Sequence, residues 1–149
     1  ALARFAQNVQ GEIHETVAEM GLAGEFLLLG PTGDIQRVYR RMDVLVFPSY
    51  YDAPGRPVFE SAFFGIPSIV AVREPRADTV IDGETAIAIP DPEPELIASA
   101  IRHFIRNRSE IARMGANAKA LAERNFVPRN NARTLFALYQ KVIQEAQKR

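Results

Sequence analysis

Three ionisable side chains that lie close together in the sequence, Asp52, Arg56 and Glu60, have the chemistry to bind phosphate and hydroxyl groups. An arginine guanidinium is a planar fork of donors that holds a phosphate or a carboxylate through two bonds. The two oxygens of a glutamate match the separation of two vicinal hydroxyls, as in a ribose, and Asp52 can accept similarly from a sugar ring. The sequence therefore indicates a site for an anionic ligand rich in hydroxyls.

These side chains belong to a turn-rich loop, residues 48–57, and to the helix that follows it. The start of a helix offers unpaired backbone N–H groups and a partial positive charge, which suit phosphates or hydroxyls. Gly55 in the loop would let a ligand approach the backbone closely. The loop and the helix start together therefore predict a binding edge.

Each of the three side chains also has a purely structural interpretation. Asp52 is typical of a turn residue, since aspartate bonds readily to nearby backbone groups. Arg56 can balance carboxylates on the surface of its own helix. Glu60 lies early enough in that helix to favour the positive end of the helix dipole. The residue types alone leave both interpretations open.

The elements that must position this loop form an alternating pattern. Apolar runs with the composition of buried strands alternate with the spacing of amphipathic helices. The predicted strands are 26–29, 44–48, 67–72 and 86–89, and the predicted helices before the carboxyl-terminal region are 2–20, 35–41 and 58–64, with one or two helical turns at 76–82.

This alternation predicts an α/β fold with a Rossmann-like parallel sheet covered on both faces. From Glu93 onward the pattern is helical throughout, so we expect one domain over 1–149, with an α/β part at about 1–92 and a helical tail at about 93–149. Ligands of such sheets bind beyond the carboxyl ends of the strands. Two segments follow predicted strands there: Gly30, Pro31 and Thr32 after the first, and loop 48–57 after the second.

Composition narrows the classes of function for this chain of 149 residues. Eighteen basic residues balance eighteen acidic ones, which argues against a nucleic-acid partner. The absence of cysteine excludes disulfides and thiolate sites, and His14 and His103 lie too far apart for metal-ligand spacing, so no metal is expected. No apolar run has the length of a membrane helix. We expect a cytoplasmic setting, with membrane association at most peripheral.

The sequence PSYYDAPGRPVFESAFFGIPSIV around this loop resembles a known family signature. It is similar to the carboxyl-terminal signature of the GT-B retaining glycosyltransferases, group 1, of the glycogen-synthase and sucrose-synthase-like superfamily. In that signature a strand ends in Pro-Ser, and a glutamate follows an acidic residue by eight positions, as Glu60 follows Asp52. Ala62, Gly65 and Pro67 continue in register, and segment 78–83 resembles the family's Glu-x-x-x-Asp-Gly.

The resemblance implies a site for a nucleoside-diphosphate sugar, the donor substrate, with no metal and no further cofactor. Glu60 would hold the ribose hydroxyls. Asp52, the candidate catalytic residue, would meet the transferred sugar together with backbone groups of 53–56, and the segment from Gly30 to Thr32 would border the base. A phosphate contact of Arg56 follows from its chemistry. The candidate donor-binding residues are Ser49, Ala53, Pro54, Gly55, Arg56, Glu60, Gly30, Pro31 and Thr32.

The chain departs from the family pattern in ways that shape these expectations. Asp52 stands where the family has glutamate and is one methylene shorter. The first strand, helix and strand of the family's carboxyl-terminal domain, and the acceptor domain before them, have no counterpart here. We therefore expect an incomplete domain, with the missing strands lying between 26–29 and 44–48 and supplied by a longer protein or by a partner chain.

Three functions remain open at this point. The first is the donor-binding part of a glycosyltransferase that moves a sugar, with retention, to an acceptor that the sequence does not name. The second is a glycosyltransferase-like module that binds nucleotide sugars or another protein without catalysis. The third is a Rossmann-like nucleotide domain unrelated to sugars, which would bind bare nucleoside diphosphates as well as their sugar conjugates.

Overall fold

A computed structural model describes the backbone of residues 2–147 and the side chains of residues 9–147. The chain forms two compact units, the first ending at Ile35 and the second beginning at Gln36. The first unit contains the helix α1 (Leu2–Glu19), which confirms the predicted amphipathic helix. Along its described part, Ile13 and Val17 are the half-buried positions, one helical turn apart.

The predicted strand at 26–29 is wrong. These residues have no regular secondary structure, and Phe26, Leu27 and Leu29 are 51%, 78% and 61% exposed. A strand forms only when a neighbouring strand accepts and donates its backbone hydrogen bonds, and within the described residues nothing pairs with this segment. An apolar run between glycines therefore indicates a segment suited to burial, and does not by itself supply the neighbour.

The second unit contains the sheet, four complete helices and all of α2 except its first residue. The elements are α2 (Ile35–Tyr39), β1 (Leu45–Phe47), α3 (Arg56–Phe63), β2 (Ser68–Ala71), β3 (Ala86–Ile89), α4 (Pro94–Arg106), α5 (Arg108–Asn125) and α6 (Pro128–Ala146). Three predicted strands and the helical tail are thereby confirmed. The segment 76–82 forms a single turn, in which the N–H groups of Thr79 and Val80 both bond to the Arg76 carbonyl at 2.8 Å.

The three strands form a parallel sheet in the order β1-β2-β3. The central strand is fully buried, and its alternating side chains enter two different core clusters. Val70 packs with Leu45 and Val58, while Ile69 packs with Phe104 of α4. The sheet is therefore covered on both faces, as the alternating pattern predicts for an α/β fold.

A close contact between backbones fixes α3 against α5. A Cβ added at Gly115 of α5 would lie 2.0 Å from the carbonyl oxygen of Gly65, which follows the end of α3. Gly65 itself has a φ of +71°, a value that favours glycine because it has no Cβ. The two glycines let the helices approach, and this packing determines where the residues of α3 lie.

Candidate functional site

The candidate loop lies at the carboxyl end of β1, where it leads directly into α3. Inside the loop, the Ser49 hydroxyl accepts a bond from the Tyr51 N–H at 3.1 Å, which closes a local turn. Tyr50 and Tyr51 are 88% and 91% exposed, and Ala53 is also exposed. The loop is thus an open edge, and a ligand here would be held on one side by the described residues.

Gly55 precedes α3 in an extended conformation and has a packing role that the sequence did not reveal. A Cβ at this position would lie 2.4 Å from the tip of the Phe47 ring. The ring at the end of β1 therefore occupies the space that any other residue would need. Pro54 beside it is half-buried, and Pro57 lies in the first turn of α3, where its missing N–H leaves no bond unmade. The start of α3 is therefore packed against the end of β1.

Glu60 lies in the second turn of α3, half-buried, with a partner on each carboxylate oxygen. The Tyr39 hydroxyl donates to Oε2 at 2.8 Å. The Arg56 Nε lies 3.0 Å from Oε1, one helical turn earlier. The pairing of Arg56 with Glu60 is the surface balance of charge that one interpretation of the sequence predicts. It also places a guanidinium and a carboxylate side by side at the edge of the sheet.

Tyr39 is the residue of this site that the sequence analysis missed. It is 3% exposed, and its ring stacks on Phe64 with centroids 5.4 Å apart. Burial, and then the hydrogen bond to Glu60 and the charge of Glu60, raise the pKa of Tyr39 to about 12. Its hydroxyl therefore keeps its proton at neutral pH and remains a donor. Tyr39 and Glu60 are 21 positions apart, and no local pattern links them.

Asp52 has a φ of +45° and is the one non-glycine residue with positive φ among residues 2–147. Aspartate tolerates this left-handed conformation better than most residues. Its carboxylate accepts the backbone N–H of Arg73 at 2.7 Å and lies 3.6 Å from the Arg73 guanidinium, which also pairs with Asp91. Asp52 thus lies in the turn that one interpretation of the sequence predicts, but its carboxylate bonds to a residue 21 positions away and not to nearby backbone. Its contact with a donor sugar stays a prediction.

Arg73 and Asp91 were also missed by the sequence analysis. Arg73 follows the carboxyl end of β2, and Asp91 follows the carboxyl end of β3. Their ion pairs join the loop after β1 to the segments that follow β2 and β3. A signal was available in the parallel order of the strands, which brings the residues that follow each strand to one edge.

Gly30, Pro31 and Thr32 belong to the first unit. All three are exposed, Gly30 has a φ of +65°, and the Thr32 hydroxyl accepts the N–H of Asp34 at 3.1 Å. The segment is therefore a turn that leads to α2. Its predicted place beside a base stays a prediction.

The described part of the chain also bears on other kinds of site. Among these residues, no group of three or more His, Cys, Asp or Glu side chains is arranged to hold a metal ion. No helix there combines the length and the apolar character required to cross a bilayer.

The parallel sheet, the helical tail and the loop at the carboxyl edge define an α/β domain of the kind found at the carboxyl end of GT-B glycosyltransferases. Residues 7–121 match the family Glycosyl transferases group 1, and the chain belongs to that family. This confirms the resemblance to the group 1 family drawn from segment 48–70.

The chain is similar to several named proteins. It is 27% identical over 136 residues to the lipopolysaccharide core biosynthesis mannosyltransferase LpsB of Rhizobium meliloti (strain 1021). The aligned residues make up 90% of this chain and 39% of LpsB. Sucrose-phosphate synthase from Thermosynechococcus elongatus superposes with a TM-score of 0.80 at 24% identity, over 93% of this chain and 35% of the synthase.

A second similar structure was determined with a nucleotide sugar. Anabaena HepE in complex with UDP-glucose superposes with a TM-score of 0.75 at 25% identity, over 88% of this chain and 37% of HepE. The chain therefore spans somewhat more than a third of the length of each of these three proteins.

Proposed function

We propose that this chain is the donor-binding part of a glycosyltransferase that moves a sugar from a nucleoside diphosphate to an acceptor, with retention of configuration. The observation that carries the proposal is the loop and helix after β1, which in a member of the group 1 family present Asp52, Arg56 and Glu60 at the carboxyl edge of the sheet. The nucleotide complex of HepE supports the class of donor.

In this proposal Glu60 accepts the ribose hydroxyls, since its half-buried carboxylate has an oxygen paired only with an exposed guanidinium. Arg56 and the backbone N–H groups at the start of α3 meet the diphosphate, where a positive charge stabilises the departing anion. Asp52 and the backbone of 53–56 meet the transferred sugar. No metal and no further cofactor take part, the acceptor stays unidentified, and a cytoplasmic location stays a prediction.

A second candidate is a family member that binds the donor without transferring the sugar. The specific observation in its favour is Asp52, whose carboxylate is already engaged by the N–H and the guanidinium of Arg73. A shorter acid held in this way has less freedom to reach a sugar than the glutamate expected at this position. Donor binding without transfer or hydrolysis in the whole protein would favour this candidate.

We also propose that further strands, from the same protein or from a partner, complete the sheet beside β1. Among the described residues β1 pairs with β2 alone, and Val46 at this edge is 38% exposed. A cleft of about 240 Å³ next to it is lined mainly by apolar side chains, including Val44, Ile69 and Ile105. An unpaired strand edge beside apolar surface is costly in water unless another element covers it.

The test of the proposed function is donor binding and transfer by the whole protein and by two glutamate variants. Glu60→Ala should weaken binding of the nucleotide sugar by about 1.5–3 kcal/mol, the value of a charge-assisted hydrogen bond. Glu123→Ala, which removes an exposed carboxylate on α5, is the matched control and should leave binding unchanged. Unchanged binding and turnover in Glu60→Ala would refute the role of Glu60, and product with inverted configuration would refute retention.

A further inference from the structure

We propose that two groups of different mobility prepare Glu60 for a ribose. Tyr39 is a positioning residue that holds Oε2 throughout, and Arg56 covers Oε1 until a diphosphate draws its guanidinium away. This inference rests on the proposed function, and it adds an order of events: the phosphates of the ligand open the position that its ribose then occupies.

The Tyr39 side of the arrangement is fixed by packing. The ring is almost completely buried, stacks on Phe64, and belongs to the core cluster that includes Leu45 and Val58. Its hydroxyl reaches Glu60 at 2.8 Å from a place where the ring cannot turn away. A neutral, buried donor on Oε2 restricts the rotation of the carboxylate and leaves Oε1 as the oxygen available for exchange.

The Arg56 side is exchangeable. Its side chain is 86% exposed, and its bond to Glu60 at 3.0 Å is an ion pair between neighbours on one helix. Such exposed ion pairs contribute little to stability, because water solvates both charges and the long side chain loses conformational freedom when it pairs. A diphosphate offers the same guanidinium a doubly charged partner and two parallel bonds. Arg56 also lies at the first position of α3, where an anion is favoured by the helix start.

This arrangement has a consequence that a simple phosphate clamp lacks. A nucleoside without phosphates must compete with Arg56 for Oε1, whereas a nucleoside diphosphate moves Arg56 to its own phosphates. Removing the guanidinium should therefore affect the two ligands in opposite directions. A side chain that only contacted phosphate would leave the nucleoside unaffected, and one that only stabilised the fold would weaken both ligands.

The first experiment titrates the chain with uridine and with UDP, followed by NMR shifts and calorimetry. Arg56→Ala should weaken the binding of UDP about tenfold, because a bond between charged groups is lost. The same variant should strengthen the binding of uridine about two- to threefold, because the competitor for Oε1 is removed. Arg102→Ala, which removes an exposed arginine on α4, is the control and should change neither constant. Equal weakening of both ligands, or no change for uridine, would overturn the exchange.

The second experiment tests Tyr39 through its coupling to Glu60. Tyr39→Phe keeps the stacked ring and removes the hydroxyl. It should weaken the binding of UDP about three- to tenfold, since Glu60 loses the hydrogen bond that orients its carboxylate. In a Glu60→Ala background the same change should have almost no effect on UDP. Tyr139→Phe removes an exposed hydroxyl on α6 and is the control. A full effect of Tyr39→Phe without Glu60 would mean that Tyr39 acts on the fold alone.

The failure of this inference differs from the failure of the proposed function. If the unchanged chain binds neither UDP nor another nucleoside diphosphate, the donor site is refuted and the exchange with it. If UDP binds and Glu60→Ala weakens it, but Arg56→Ala and Tyr39→Phe behave like their controls, the donor site stands and the preparation of Glu60 is refuted.

Discussion

Gly115→Ala is the substitution that tests most severely how α3 is held in place. The added Cβ would lie 2.0 Å from the carbonyl oxygen of Gly65 and 2.9 Å from its carbonyl carbon, whereas ordinary contacts begin at 3.4 Å. The obstacle is backbone, which cannot rotate aside as a flexible side chain does. Helix α5 must therefore move away from the end of α3 by at least about 1 Å, opening the packing on both sides.

The cost follows from this displacement. Overpacking of a well-packed core costs about 1–3 kcal/mol, and a backbone contact belongs at the upper end of that range. Alanine is favoured over glycine inside a helix by about 1 kcal/mol, which offsets part of the loss. We expect a net destabilisation of about 2 kcal/mol, which corresponds to a fall in the midpoint of thermal unfolding of about 4–8 °C for a chain of this size.

The assay is unfolding followed by far-UV circular dichroism, which suits a chain without tryptophan. Gly11→Ala is a matched control, since Gly11 also lies inside a helix and a Cβ there has nothing within 4 Å. The control should be unchanged or stabilised by up to about 1 kcal/mol. If Gly115→Ala unfolds at the same midpoint as the unchanged chain, the close approach of α5 to the end of α3 is refuted.

Three further predictions concern the site and the segment before β3. The pKa of Tyr39 is raised to about 12, so the folded chain holds the phenol proton more tightly than the unfolded chain, whose tyrosines titrate near pH 10. The free energy of unfolding should therefore fall by about 2–3 kcal/mol between pH 10 and 12. An equal fall in Tyr39→Phe would contradict this explanation. Asp52→Val should raise the rate of proteolysis in the loop, since a β-branched residue is strained at positive φ by about 1–3 kcal/mol, whereas Asp52→Asn should be cut at nearly the original rate. Equal rates for the two variants would refute the role of Asp52 in holding the loop. Thr85→Val should destabilise the chain by about 1–3 kcal/mol in urea unfolding, because the N–H of Ile81 loses the hydroxyl that accepts its hydrogen bond at 2.9 Å. A cost below about 0.5 kcal/mol would show that this bond contributes little to the stability of the fold.

The local sequence pattern was sufficient to predict the strands that have a neighbouring strand among the described residues. β2 reads as a continuous apolar run, and it is buried on both faces because β1 and β3 flank it and helices cover it. The segment 26–29 has equally apolar residues and no partner strand in the described part of the chain, and it stays irregular. Apolar composition reports a tendency toward burial, while strand formation depends on a neighbour that local sequence does not specify.

The same distinction holds for the site. Glu60, Arg56 and Asp52 were found because they lie in one contiguous segment with a recognisable spacing. Tyr39, Arg73 and Asp91 were not found, because their bonds join residues about 20 positions apart and depend on how the strands stack. Gly55 was recognised for its small size, although its described contact is with the Phe47 ring. The spacing of residues in the sequence identifies the segment that forms the site, whereas the residues that contact it from elsewhere are found only in the folded structure.

The measurement that tests the central claim most directly is a map of backbone amide shifts as the chain is titrated with UDP-glucose. The proposed donor site predicts saturable shifts concentrated in loop 48–57 and in the first turns of α3 around Glu60, and their loss in Glu60→Ala. Saturable shifts confined to another part of the chain, or none at ligand concentrations that saturate a donor site, would contradict it.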